Sequence, residues 1–336
     1  MNLSDTPMTT RFHRAIQDGD VQSVEAFLAL GVDGNEPDWD NNGKIALLEA
    51  TCLSNVQMVE ALIKGGCSPN SRDCQGQTAL HAAVRSRVPN AALVNLLLAA
   101  GADAALSDTV SGMSPLHLLI QQATSCRSHV ERAMFVCVLH AILPGSNVDG
   151  ATHGGDTALH LAAKGPSVAL VKVLLDVKAD VNCQNARGET PLMVAIVNNQ
   201  VNIAKMILDG YNCDVNIRDR YHQTALHYAA NFNSSVVIDN LLLCNCDVNA
   251  VDLNKDTALH LAAGKAHAVA IQLLLKCVHI KPQIKNINGK RAADIVEESS
   301  FNHLKKLFLS KNEDDVILRH PEKLERNDRL MLPAFA

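Results

Sequence analysis

A four-residue pattern, Thr-(Ala or Pro)-Leu-His or a near relative, returns along almost the whole chain and limits its fold more than anything else in the sequence. It begins at Ile45, Thr78, Ser114, Thr157, Thr190, Thr224, Thr257 and Arg291, at intervals of 33, 36, 43, 33, 34, 33 and 34 residues. The units read IALLEA, TALHAAV, SPLHLLI, TALHLAA, TPLMVAI, TALHYAA, TALHLAA and RAADIV, and a degenerate earlier unit, TRFHRAI, starts at Thr10. A period of this size means one small supersecondary unit per repeat. A lone unit of that kind cannot bury its own apolar face, so the core must come from stacking.

Within a unit the local signals are helical. Thr78 precedes a stretch whose Leu80, Ala83 and Val84 fall on one helical face, so Thr78 is placed to cap the helix start and His81 to tie turn to helix. Ala92, Leu93, Leu96, Leu97 and Leu98 form a second apolar run, with Gly101 as its left-handed terminator. The segments Ala102 to Ser107 and 179–188 (ADVNCQNARG) are turn-forming and lead into the next Thr.

A spacing of 33 with this opening motif resembles the ankyrin repeat. The resemblance covers about residues 8–310 and implies an all-α solenoid of helix-turn-helix units joined by β-turn fingers. On this reading residues 1–310 form one ankyrin-repeat domain, with repeats starting near 10, 45, 78, 114, 157, 190, 224, 257 and 291. Residues 311–336 form a charged tail, expected to be a short helix followed by disorder. The first and last units carry Arg11, Arg14, Arg291 and Asp294 where others are apolar, as suits the ends of a stack. The interval of 43 puts about ten extra residues in the repeat from Ser114. There Val130, Met134, Val138 and Ala141 keep helical spacing, which predicts a lengthened second helix or a longer loop before it.

Composition agrees with close-packed helices: 47% of residues are apolar but only 3% aromatic. Charge is uneven. Residues 1–50 carry a net −6 and residues 276–311 a net +5, a dipole that can orient a partner. An isoelectric point near 6.3 argues against nucleic acid as the main partner. No basic-then-apolar leader opens the sequence, and the longest apolar run, Ala133 to Leu143, falls short of the ~20 residues that span a bilayer. Ten scattered cysteines read as reduced thiols. The expectation is a monomeric cytoplasmic and/or nuclear protein that does not work at a membrane.

No phosphate loop, nucleophile elbow or metalloprotease motif is present, so catalysis is not expected and no catalytic residue or cofactor is assigned. His81, His117, His160, His227 and His260 share one register, a full repeat apart, and read as turn-fixing residues rather than ligands. Cys126-x-x-His129 and Cys137-x-x-His140 have metal-like spacing, but the second pair lies in an apolar helical run, and no metal is assigned. Asn182, Asn216 and Asn249 end Asp-Val-Asn turns and are expected to secure their fingers through backbone bonds. The family resemblance further implies that they are candidate targets of asparaginyl hydroxylation.

The resemblance also implies binding of a protein partner on a concave face lined by finger tips and first-helix positions. In this register those are Arg187, Arg218, Arg220, Tyr221 and Leu253 on fingers and Asn231 and Phe232 on a first helix. Arg220, Tyr221, Phe232 and Leu253 are the expected centre, because Tyr, Arg and exposed apolar side chains anchor interfaces. Two other functions resemble this one. A ubiquitin-ligase substrate receptor needs a C-terminal recruiting box, of which Leu304, Leu307, Leu309 and the Leu332-Pro333 pair give a faint likeness. A transcription-factor inhibitor resembling the NF-kappaB inhibitors would carry a phosphodegron and a Pro-Glu-Ser-Thr-rich tail, which this sequence lacks.

Overall fold

The structure is a computed structural model that describes residues 8–39, 43–86, 89–126, 128–210, 212–298 and 304–308, so the expectation for 311–336 lies outside the described residues. The repeats contribute helices in pairs: α1 (Met8–Gln17) and α2 (Val21–Ala29), α3 (Ala46–Cys52) and α4 (Val56–Lys64), α5 (Ala79–Arg85) and α6 (Ala91–Ala99). The fourth repeat gives α7 (Pro115–Ser125) and α8 (His129–Ile142), followed by a 3-10 turn, Leu143–Gly145. Then come α9 (Ala158–Lys164) with α10 (Val168–Asp176), and α11 (Pro191–Val197) with α12 (Val201–Gly210). The last are α13 (Ala225–Asn231) with α14 (Ser235–Leu243), α15 (Ala258–Gly264) with α16 (Ala268–Lys276), and α17 (Ala292–Glu298).

Two layers result. The first helices, α1, α3, α5 and onward to α17, pack side by side, and the second helices, α2 to α16, do the same behind them. The described residues hold no β-strand, only isolated bridges pairing Asp38 with Lys44 and Ala151 with Thr157. This is the expected all-α solenoid.

The motif explains the inner layer. Leu80, Leu116, Leu159, Leu192, Leu226 and Leu259 are each no more than 1% exposed, a burial that stabilises by roughly 1.5–3 kcal/mol per side chain. The alanine pairs Ala162–Ala163, Ala229–Ala230 and Ala262–Ala263 are buried too, and their small size lets neighbouring helices approach. Thr78, Ser114, Thr157, Thr224 and Thr257 close a reciprocal capping box with the histidine three residues on. Gly101 ends the second helix of its repeat at φ +89°, as the sequence suggests.

Two expectations are met in part. In the long repeat both helices grow: α7 has 11 residues against seven in α9, and α8 has 14 against nine in α10. Its buried face is Phe135, Val138, Leu139 and Ile142, while Val130 and Met134 are 76% and 40% exposed. The apolar residues of α8 lie all round it, and of the four evenly spaced residues Val138 is the one fully buried. The Asp-Val-Asn asparagines do bond backbone, but that of the next repeat rather than their own finger. Asn182 accepts from Asp214 N–H at 2.8 Å and donates to Asn212 C=O at 3.0 Å. Asn249 accepts from Lys281 N–H at 2.7 Å and donates to His279 C=O at 2.8 Å. Asn70 clasps Asp103 and Gly101 in the same way, and Asn216 accepts from Asp247 N–H. Ala105 occupies this register before the long repeat, and Asp149 occupies it after, accepting from Asp180 N–H without an amide to give back.

Candidate functional site

Each finger is closed by one side chain. Asp219 accepts from the N–H groups of Tyr221 (2.8 Å) and Gln223 (2.7 Å), and Asp252 does the same for Asn254 and Asp256 (both 2.8 Å). Asn185 and Asn286 fill the same place with an amide oxygen. Because these acceptors face inward, the two tip residues between them point outward.

The capping histidines fix the finger base. In His160 the Nδ1 accepts from Thr157 N–H at 3.2 Å, so Nε2 carries the proton and donates to Glu189 C=O at 2.9 Å. His227 and His260 reach Asp256 C=O and Lys290 C=O, both at 3.1 Å, and His81 and His117 reach Met113 and Gly150. Burial, which disfavours the charged imidazolium, lowers the pKa of His81, His117, His160 and His227.

Successive fingers also bond tip to tip. Ala186 N–H donates to Gly154 C=O (2.9 Å), Arg220 to Arg187 (3.0 Å), Leu253 to Tyr221 (3.1 Å) and Ile287 to Asn254 (2.8 Å). Gly155 and Gly188 turn two of these fingers at φ +76° and +77°, and a Cβ there would lie 2.4 Å from Ala186 N and 2.8 Å from Arg220 N. His222 and Lys255 hold the same register in the next two fingers at φ 61° and 58°.

This ladder decides which of the expected residues meet. Arg187, Arg218, Arg220, Tyr221 and Leu253 are all exposed and lie on three consecutive bonded fingers. Tyr221 and Leu253 are 63% and 54% exposed. Phe232 and Asn231 stand apart from them. They sit at the far end of α13, a helix about 10 Å long by its seven residues. Phe232 is 46% exposed there, the length of α13 away from the finger base. The sequence reading missed Ile287, 65% exposed on the finger after Leu253, because the last unit departs from the motif.

Below the tips the inner surface is polar. Lys164 Nζ pairs with Asp156 at 2.7 Å, Asn185 bridges Asp156 to Glu189, and Arg187 pairs with Glu189 at 2.9 Å. Burial alone would raise the Asp156 carboxyl, but the bonds from Lys164 and Asn185 outweigh it and hold it low. Tyr228 donates to Asp219 at 2.8 Å, and burial with the flanking carboxylates pushes its phenol up.

Of the cysteine–histidine pairs, Cys126 Sγ lies 2.9 Å from Glu131, while Cys137 and His140 are exposed on α8. Among the described residues no group of three or more His, Cys, Asp or Glu is arranged to hold a metal. Asn182 and Asn249 are half-buried and Asn216 is exposed, all in the clasps between repeats.

The model of ankyrin repeats matches residues 12–108, 130–219, 159–252 and 226–316. The chain belongs to the ankyrin-repeat family. Ankyrin repeats mediate protein–protein interaction. Among curated ankyrin proteins it is similar to the B-cell lymphoma 3 protein homolog of Mus musculus, 29% identical over 226 residues, 57% of this chain and 48% of that one. It is also similar to the E3 ubiquitin-protein ligase KEG of Arabidopsis thaliana, 27% identical over 290 residues, 65% of this chain and 18% of the ligase. This chain thus spans about half or less of the length of these relatives. The solved ankyrin domain of Bcl-3, described as a unique member of the IkappaB protein family, superposes with a TM-score of 0.58 at 24% identity. That match covers 69% of this chain and 99% of the Bcl-3 domain, and it shows the ankyrin fold. Among the described residues no helix is long and apolar enough to cross a membrane.

Proposed function

We propose that the chain is a non-enzymatic adaptor that binds a protein partner on its inner surface, centred on the fingers that carry Arg187, Arg218, Arg220, Tyr221 and Leu253. The observation that carries this reading is the bonded pair of fingers at Tyr221 and Leu253, which holds a large aromatic and a large aliphatic side chain in water beside two arginines. Phe232 and Asn231 form the opposite edge of the same surface, so a partner that reaches both must lie across α13. Ten free thiols support work in the reducing cytoplasm and/or nucleus, and the chain acts as a monomer.

The test is a partner captured from cells and then purified, with its affinity measured against Arg220→Ala/Tyr221→Ala. The double variant keeps its thermal stability and binds more weakly by about 2 kcal/mol or more. Unfolding of the variant would assign these residues to the core. Normal folding with unchanged binding would move the interface elsewhere, first of all to the long repeat around Cys126 to His140. Likeness to Bcl-3 favours a second reading, that the partner is a transcription factor as for the NF-kappaB inhibitors. Asn182, Asn216 and Asn249 are the positions proposed for hydroxylation. Peptides of the cellular protein that carry them should show a one-oxygen mass increment, and unmodified peptides alone would remove the idea.

A further inference from the structure

Four consecutive fingers lead into α11, α13, α15 and α17, at residues 184–189, 217–223, 251–256 and 285–290. Every exposed charged side chain on them is a cation: Arg187, Arg218, Arg220, Lys255 and Lys285. Their acids are turned inward. Glu189, Asp219 and Asp252 are buried, the last two accepting backbone N–H groups, and Asp256 is half-buried and accepts from Asn286 Nδ2 at 2.9 Å. Arg187 shares Glu189, but Arg218, Arg220, Lys255 and Lys285 form no ion pair among the described residues. The exposed acids nearest to this row, Asp180, Asp214 and Asp247, lie in the Asp-Val-Asn turns before the fingers. Interleaved with the cations are Tyr221, Leu253 and Ile287, one large apolar side chain on each of three successive fingers.

We infer that this finger row receives an extended acidic segment of the partner, with apolar side chains seated on Tyr221, Leu253 and Ile287 and carboxylates on the arginines and lysines between them. The inference rests on the inner-surface reading above and adds the chemistry of what binds there. The four fingers carry six cations (Arg187, Arg218, Arg220, Lys255, Lys285 and Lys290) against four carboxylates, and the carboxylates lie beneath the exposed cations, so the outer edge of the row is positive and attracts and orients negative chain. Geometry sets the spacing. Neighbouring first helices stack about 8–10 Å apart, and extended chain in the polyproline II conformation advances about 3.1 Å per residue with three residues per turn, so every third side chain points the same way. Every third side chain of the segment therefore meets the next finger.

The probe is a set of three fluorescent peptides of one length, each with Leu at every third position and the remaining positions filled by Glu, Gln or Lys. Fluorescence anisotropy with the full chain should show the Glu peptide binding at least tenfold tighter than the Gln peptide, with the Lys peptide unbound. Raising salt should weaken the Glu peptide. Arg218→Glu/Arg220→Glu should cost it at least tenfold, and Leu253→Asp/Ile287→Asp should weaken both Glu and Gln peptides, with melting temperatures unchanged. Equal binding of Glu and Gln peptides, lost on Leu253→Asp/Ile287→Asp, would overturn the acidic preference while leaving the inner-surface reading intact. Binding of the Glu peptide that survives both double variants, or no binding by any peptide, would overturn the inference outright. The captured-partner measurement on Arg220→Ala/Tyr221→Ala then judges the surface by itself.

Discussion

From Thr157 to Gly264 the repeats are laced at almost every point: asparagine clasps at 182, 216 and 249, finger bonds at Arg220 and Leu253, and histidine ties at 160, 227 and 260. The long repeat from Ser114 to Asp156 keeps its histidine tie and its finger bond, His153 N–H to Ser111 C=O at 2.8 Å, but enters with Ala105 and leaves with Asp149 where the clasps should be. It compensates with area, because the added turn of α7 buries Ala123 and the longer α8 buries Phe135, Val138, Leu139 and Ile142. Polar lacing and apolar packing are thus partly interchangeable in a nearest-neighbour stack. They differ in reach: a clasp fixes one loop, whereas an added turn stabilises only where its neighbour leaves room.

Acid gives the largest effect and treats both regions alike. The unfolded chain titrates its histidines near pH 6.5, whereas burial depresses His81, His117, His160 and His227 when folded. The unfolded state takes up protons first. Stability is therefore complete above about pH 6.5 and falls as pH drops through the window down to the folded values, with these four histidines as the source of the loss. A melting temperature unchanged between pH 7 and 5 would contradict this. Protonation also puts a donor on Nδ1 where Thr N–H already points.

Leu226→Ala separates the regions. It removes a side chain 1% exposed in the laced block and should cost on the order of 2–5 kcal/mol in urea unfolding. In the unaltered protein, hydrogen exchange should be slowest within residues 158–263; slowest exchange in 1–50 would refute the ranking. A somewhat smaller loss, about 1–3 kcal/mol, is expected for Gly165→Ala. A Cβ there would stand 2.6 Å from Thr124 Cβ and 3.0 Å from its Cα, in the added turn of α7, although the backbone at φ −105° suits any residue. Recovery in Gly165→Ala/Thr124→Gly would identify the clash as the cause, and an unperturbed single variant would dismiss it. The smallest change is a gain. Ala105→Asn should restore the missing clasp, accepting from Asn147 N–H, and add about 0.5–1.5 kcal/mol. Loss of stability on that substitution would mean the loop before the long repeat cannot adopt the clasped geometry.

How much of this was legible in the sequence depends on how local the cause is. The capping Thr, the buried Leu and the tying His sit within four residues, so their register could be read at every intact unit. Arg220, Tyr221 and Leu253 share a patch because the finger spacing repeats. Phe232 falls outside it because seven residues of α13 intervene, and sequence offsets do not reveal which end of a helix a residue faces. The clasps and the Gly165 contact join residues some 30 to 40 positions apart, and in Gly165 the partner is an insertion found in only one repeat. Nothing periodic marks such a pair.

The turn glycines carry a consequence for sequence drift. At Gly155 and Gly188 two independent barriers, the left-handed backbone and the next finger's N–H within 3 Å, oppose any side chain, so these positions should stay fixed as the lineage diverges. At His222 and Lys255 the left-handed conformation persists but a side chain is already accommodated, at a cost of about 1 kcal/mol each relative to glycine. Those two fingers are where new side chains can be tried without rebuilding the stack, and they flank Tyr221 and Leu253. Variation that retunes partner choice is therefore channelled to one stretch of the surface, while the glycine-turned fingers before it are held to a single shape.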